Sequence, residues 1–455
     1  MQDVSAEAGI PDRLWTPTFF GFVLTQFLGA FNDNYFKQMV ALTCVAQVAA
    51  GGADWQTFAM GAFALPFVLL SGYAGYLADR YSKRSIIVLC KLAEILVMLT
   101  AVVVLLIPGL SASVQLTLLI LVLALMGAHS SFFGPAKYGA LPELFRSKHL
   151  LPVNGVVQMT TFLAIILGTA AGGVALDWLN RSLWIGSTIA VGIAMTGTLT
   201  SILIRRLNAS QPGLLWKNEN VAIPRDIRVL FRENRDLRLA MLVSTTFWFV
   251  GGVTQPAVNL LGGTLLGLTD TRTSLLASGI ALGIAGGCVC VGMFGGRSQG
   301  RWVNLGGFLF VAVSIVVFLM TRAVVPSFAP EGASVEPFVK AVTTATSVEW
   351  GLRCAMVVLG FSAGMIVVPV QVFLQQAPPA GLKGRMIGTQ NLLSWVGILA
   401  AAVFLGLFQW ILRLLGGIDF AIQYQNVIFL CLAAFMLPIA LFYRLGTASN
   451  GTLKA

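Results

Sequence analysis

Apolar residues in this chain come in long blocks separated by short polar corners. A helix that crosses a bilayer needs about 20 mostly apolar residues. By that measure the pattern predicts twelve spans, over 18–46, 55–78, 85–107, 113–136, 151–176, 182–205, 237–262, 273–294, 302–321, 350–374, 386–411 and 420–443. The only long, charge-rich break is 206–236, which carries Pro212, Gly213 and Pro224 and leaves six spans on either side. The expected fold class is therefore an all-α integral membrane protein of two pseudo-symmetric six-helix bundles. The expected organisation is an N-terminal segment 1–17, a bundle 18–205, a connector 206–236, a second bundle 237–443 and a tail 444–455.

Composition supports the class. The chain is 57% hydrophobic and 10% charged, against about a quarter charged in a soluble domain. The first 17 residues are polar and the first apolar run is too long for a signal-peptide core, so no cleaved leader is expected. Cys44, Cys90, Cys288, Cys290, Cys354 and Cys431 lie in or beside spans at spacings that fit no metal pattern, and no disulfide is expected.

The net charge of +11 is concentrated in alternate corners. One set holds Arg80, Lys83 and Arg84, then Arg146 and Lys148, then Arg297 and Arg301, then Lys383 and Arg385. The connector adds Arg205, Arg206, Lys217, Arg225, Arg228, Arg232, Arg235 and Arg238. The other corners carry little beyond Arg181, Arg272, Arg322, Lys340 and Arg413. By the positive-inside rule both termini and the connector are expected in the cytoplasm. Basic residues spread over membrane loops suit anionic lipid rather than nucleic acid.

Candidate chemistry lies where polar groups interrupt apolar spans, because ionisable groups at bilayer depth are costly and normally face a cavity or a partner. Span 1 carries Asn32-Asp33-Asn34 and, four residues after Asp33, Lys37 on the same helix face. Asp33 and Lys37 either serve recognition or neutralise each other. Lys91 and Glu94 in span 3 are spaced as an internal pair. Lys137 and Tyr138 follow Pro135, which is expected to interrupt or bend span 4 and free a carbonyl beside Lys137. His129 suits a packed neutral side chain better than a proton relay. Gln255 and Asn259 in span 7 mirror span 1 in the second half. The glycine series in spans 5 and 8 suits close helix packing.

The corner after span 2, Gly75-Tyr76-Leu77-Ala78-Asp79-Arg80-Tyr81-Ser82-Lys83-Arg84, is echoed after span 8 by Gly292-Met293-Phe294-Gly295-Gly296-Arg297-Ser298-Gln299-Gly300-Arg301. Gly75, Leu77, Asp79, Arg80, Lys83 and Arg84 resemble the signature of the major facilitator superfamily, with Ser82 in place of its usual glycine. The resemblance implies a gating cluster of Gly75, Asp79, Arg80, Lys83 and Arg84. Asp79 is expected to pair with arginines of its own loop or to cap a neighbouring helix.

Two further stretches, Gln26–Asn34 and Phe132-Phe133-Gly134-Pro135-Ala136-Lys137-Tyr138-Gly139-Ala140-Leu141-Pro142-Glu143-Leu144, together with Asn154-Gly155, resemble the bacterial lysophospholipid transporter family. That resemblance implies movement of lyso-phosphatidylethanolamine-like lipids to the cytoplasmic leaflet of the inner membrane. It implies no cofactor and, as partners, the lipid substrate, membrane lipids and a separate acyltransferase or acyl-carrier-protein synthetase. A lysophospholipid carries an ammonium, a phosphate and one acyl tail. Asp33 suits the ammonium, Lys137 the phosphate, and Asn32, Asn34 and Tyr138 the glycerol region. Phe19, Phe20, Phe132, Phe133 and Phe361 suit the tail.

The alternative within the superfamily is a proton-coupled exporter, which commonly carries G-P-x-x-G-G in span 5. Here the region reads Gly168-Thr169-Ala170-Ala171-Gly172-Gly173, without proline. An enzyme is not expected. The acyltransferase pattern H-x-x-x-x-D fails at His129 and His149, whose fifth following residues are Gly134 and Asn154, and no phosphate-binding loop is present.

Overall fold

A computed structural model describes residues 11–49, 55–179, 182–296, 299–324 and 338–444. Among them are twelve long helices. The first six are α1 (Pro17–Ala49), α2 (Gln56–Arg80), α3 (Lys83–Leu106), α4 (Ala112–Leu144), α5 (Leu150–Trp178) and α6 (Leu183–Ile202). The second six are α7 (Arg235–Leu260), α8 (Asp270–Phe294), α9 (Gln299–Thr321), α10 (Ser347–Gln376), α11 (Lys383–Tyr424) and α12 (Ile428–Phe442). Among the described residues, ten stretches are long and apolar enough to cross a membrane, the last of them, Lys383–Phe442, holding both α11 and α12. α1 falls short of that apolarity because Asn32, Asp33, Asn34 and Lys37 sit within it.

The helices are apolar outside and polar inside, as hydrocarbon solvent demands. On α3, Leu89, Leu92, Leu96, Leu99, Val103 and Leu106 are exposed at helical spacing, while Lys91 and Glu94 are buried on the opposite face. α10 is the most enclosed helix, buried without interruption from Ser362 to Gln375.

The packing map repeats after six helices. α1 lies on α5, α2 on α4, and α3 on α4 and α6. Correspondingly, α7 lies on α11, α8 on α10, and α9 on α10 and α12. The two halves meet where α2 crosses α11 and where α5 crosses α8, a pair of contacts related by the same shift of six. Both crossings need glycine. A Cβ on Gly75 would meet Gly384 O at 3.0 Å and Gly388 Cα at 3.1 Å, and one on Gly155 would meet Cys288 O at 2.7 Å and Gly292 Cα at 3.0 Å. Gly75 and Gly292, aligned by the repeat in the sequence, thus hold equivalent places. Arg297, aligned with Arg80, lies outside the described residues, as does Arg181.

Two details differ from expectation. Pro135 does not interrupt its helix: α4 continues through Pro135 and Pro142 to Leu144. A proline removes one donor, and tight packing of Ala136, Ala140 and Leu141, each 0% exposed, holds the helical path. The eleventh span also overruns its expected end. The helical path breaks only at Gly416 and Gly417, the latter at φ 79°, and resumes to Tyr424 before α12 begins at Ile428.

Candidate functional site

The polar residues of α1 face three different neighbours. Asp33 accepts a hydrogen bond at Oδ2 from Ser130 Oγ of α4 at 2.7 Å, and its buried Oδ1 has no partner among the described residues. Asn32 turns the other way and donates to Glu94 Oε1 of α3 at 2.7 Å. Glu94 also pairs with Lys91, and both side chains are almost fully buried. Small residues make room for that pair: a Cβ on Gly197 of α6 would lie 2.7 Å from Lys91 Cε. Nearby on α4, the buried His129 Nε2 has no partner among the described residues.

Asn34 donates to Ala30 O of its own helix at 2.7 Å and accepts from Lys37 Nζ at 2.8 Å. Lys37 also sits 5.2 Å from the centre of the Phe63 ring of α2. Asp33 and Lys37 are therefore not an ion pair among the described residues. The amide of Asn34 takes the ammonium, and the carboxylate is left with a serine.

Lys137 occupies a second niche. Its Nζ, 6% exposed as a residue, donates to Gln26 Oε1 of α1 at 3.1 Å and to Thr161 Oγ1 of α5 at 3.2 Å. It also lies 4.7 Å from the centre of the Tyr138 ring. No acid contacts it among the described residues. Gln26 is itself fixed by Thr160 and Thr161 at 2.5 and 2.8 Å, and Tyr138 donates to Gln158 Oε1 at 3.1 Å. A buried lysine held only by neutral oxygens has no counter-ion of its own, so an incoming anion would meet no acid competing for it.

Gln255 and Asn259 stand one turn apart on an exposed face of α7, where no hydrogen bond engages them among the described residues. Of the phenylalanines, Phe19 is buried edge-on against Phe145, whereas Phe20 is exposed and Phe132 meets Tyr73 edge-on.

At the end that carries the connector, Asp79 closes α2 against the start of α11. Its carboxylate accepts from Gly384 N at 2.6 Å, from Arg385 N at 3.0 Å and from Arg385 Nε at 3.1 Å. The partner is thus an arginine from the other half and not one of its own loop. The helix N-terminus supplies free N–H groups and positive potential at that point. Arg80 turns to Tyr76, and Arg84 donates to Ile204 O at 2.8 Å. Lys83, 0% exposed, reaches Glu143 and Ser210, each at 2.6 Å. The same interface carries a reciprocal amide pair, Asn154 of α5 with Gln375 of α10, with both hydrogen bonds 2.9 Å long. Asn391 of α11 donates to Ser71 of α2 at 2.7 Å, and Trp395 stacks on Phe67 with ring centres 4.3 Å apart.

Residues 18–402 match the family model described as Major Facilitator Superfamily. The chain belongs to the Major Facilitator Superfamily. Among curated relatives, it is 27% identical over 397 residues to the lysophospholipid transporter LplT of Pectobacterium carotovorum, covering 86% of each chain. It is 25% identical over 410 residues to the LplT of Salmonella schwarzengrund, covering 86% of this chain and 90% of that one. Solved structures share the fold at low identity. The human organic anion transporter MFSD10 matches with a TM-score of 0.69 at 13% identity over 92% of this chain and 99% of that one. A bacterial homologue of ferroportin in an outward-facing state matches at 0.64 and 14% identity over 93% and 99%. The twelve helices, the repeated packing and the crossings at α2–α11 and α5–α8 are those of a superfamily transporter and a multi-pass membrane protein.

Within this superfamily member, the sequence reading did not single out Gln26, Ser130 and Thr161, which hold the two charged candidates. Gln26 carried a usable signal. It stands seven residues before Asp33, two helical turns away on the same face, as one of the few polar residues of an apolar span. Ser130 and Thr161 carried none, because hydroxyls are ordinary in membrane helices.

Proposed function

We propose that this chain moves lysophospholipids of the lyso-phosphatidylethanolamine kind across a bacterial inner membrane to the cytoplasmic leaflet. The observation that carries the proposal is Lys137: a buried lysine with neutral ligands and no acid in contact among the described residues, placed to pair with a phosphate. Asp33 supplies the complement, a carboxylate with one oxygen unengaged, suited to an ammonium. Gln26, which holds Lys137, and Asp33 are about 10 Å apart along α1. That interval suits a zwitterionic headgroup contacting both. The name carried by the curated relatives supports the same substrate class.

Transport proceeds by alternating access, the halves 18–205 and 237–443 rocking about their shared crossings while the connector 206–236 stays cytoplasmic with both termini. The Asp79–Arg385 contact holds the cytoplasmic end shut, and Gly75, Arg80, Lys83 and Arg84 frame it. Asn32, Asn34, Lys37 and Tyr138 set the shape and charge around the headgroup, and Gln255 and Asn259 face it from the second half. A separate acyltransferase that reacylates the lipid would draw flow inward without a coupling ion.

The test is uptake of radiolabelled lyso-phosphatidylethanolamine by proteoliposomes containing only this chain, beside Asp33→Asn and Lys137→Gln at matched protein levels. Uptake that falls at least about tenfold in both variants is expected. Full uptake in both overturns the headgroup site. No uptake by folded wild-type protein overturns the substrate.

A further inference from the structure

A cavity lies away from the α1–α4–α5 cluster, at the connector end. It measures about 490 Å³ and sits between the connector and the corner joining α10 to α11. That size falls within the roughly 300–1,000 Å³ typical of small-molecule sites. Its walls are apolar: Leu214 and Leu215 from the connector, Val229 and Leu230 from the connector helix Arg225–Glu233, and Leu382 from the corner. Leu215 is 73% exposed and Val229 41% exposed, so the apolar wall is open to an occupant.

The charged groups around it are not balanced. Lys217, Arg225, Arg385, Asp226 and Glu233 line the space. Asp226 is engaged by Arg385, which also donates to Gln211 Oε1 at 2.8 Å and holds Asp79. That leaves Lys217 and Arg225, neither with an ion-pair partner among the described residues, against Glu233. An apolar trough flanked by two exposed cations and one acid, a net surplus of one positive charge, is complementary to a molecule with an apolar tail and a negative head.

We propose that this cavity is a binding site for a single-chain anionic amphiphile, with the tail between Leu215, Val229 and Leu382 and the anionic head at Lys217 and Arg225. It lies away from Asp33 and Lys137 and stands or falls independently of the substrate proposed above, although Arg385 on its wall also belongs to the Asp79 contact. Occupancy joins the connector to the corner that carries Arg385. The connector is already stitched to the first half, since Gln211 N donates to Asp79 O at 2.8 Å and Tyr76 OH donates to Leu214 O at 3.2 Å. A bound amphiphile therefore fastens connector, α2 and α11 together and favours the shut state of this end. Carboxylate and phosphate heads share the chemistry that the two cations read.

The test uses the full chain in phosphatidylcholine nanodiscs with a photoreactive lauric acid that carries a diazirine near its methyl end, and maps the labelled peptides by mass spectrometry. Labelling in segments 214–233 and 379–385 is expected, competed by laurate and by monododecyl phosphate but not by dodecanol. It is expected to fall about fivefold in the Lys217→Gln, Arg225→Gln double variant, which removes two surface cations. Val229→Trp, which fills the trough and spares both cations, is expected to abolish it. Labelling confined to the membrane helices, or unchanged in both variants, overturns the site. Equal competition by dodecanol, or competition by inorganic phosphate alone, overturns the anionic-amphiphile class.

Discussion

Asp79 and Arg385 lie 306 positions apart in the chain and meet at 3.1 Å, the acid 0% and the base 7% exposed. The acid also accepts two backbone N–H groups at the start of α11, so one carboxylate ties the last turn of α2 to the first turn of α11. Asp79→Asn removes the charge and turns an amide donor toward these donors. The contact is expected to weaken by about 3 kcal/mol, the lower end of the range for breaking a buried pair, because Asp226 remains on Arg385. Spin labels on the connector ends of α2 and α11 should then report a longer distance, and an unchanged distance would show that the latch does not set this end's closure.

Lys137 offers a contrast between stability and use. A buried cation without an acid costs stability. Lys137→Gln keeps a hydrogen-bonding group beside Gln26 and Thr161 while removing the charge, so thermal stability is expected to hold or rise. Lysophospholipid uptake is expected to fall about tenfold, or ~1.4 kcal/mol. Parallel losses of melting temperature and uptake would make Lys137 structural.

The Lys91–Glu94 pair, with Asn32 on its far side, is expected to behave in the opposite way. Glu94→Gln strands a buried ammonium and should cost about 3–5 kcal/mol. Lys91→Met combined with Glu94→Met should recover most of that loss. Folded yield from membranes and thermal unfolding of the three proteins decide the matter. A double variant no better than the single one would show that the pair does more than neutralise itself.

The reciprocal Asn154–Gln375 amides join the halves at a second point. Asn154→Leu leaves a buried amide unsatisfied, at a cost of about 1–3 kcal/mol. Adding Gln375→Leu should restore part of it. A double-mutant cycle on thermal stability that shows no coupling between the two positions would sink this prediction.

Glycine packing gives a sharp internal control. A Cβ at Gly283 of α8 would lie 1.9 Å from Val357 O of α10, whereas one at Gly192 of α6 meets nothing within 4 Å. Gly283→Ala is expected to lose about 3 kcal/mol or more, at or beyond the upper end of overpacking costs, and Gly192→Ala to be neutral. Equal melting temperatures for both would contradict the packing described.

The fold class was legible in the chain as written. Twelve apolar blocks leave a chain no soluble alternative, since each block must satisfy its backbone within a helix once in hydrocarbon. The glycines at 75 and 292 announced the repeat, and Asp33, Lys137 and the Lys91–Glu94 spacing could be picked out because charge in an apolar span is rare. Which groups those charges meet depends on how the helices pack. Asp33 and Lys37, neighbours on one helix face, are separated by Asn34 and Ser130. Asn32 hydrogen-bonds Glu94, whereas its neighbour Asp33 takes Ser130. Asp79 reaches an arginine from the opposite half. Helical spacing fixes which residues of one helix share a face. Which helix covers that face depends on contacts between segments hundreds of residues apart, and a local pattern carries no record of them.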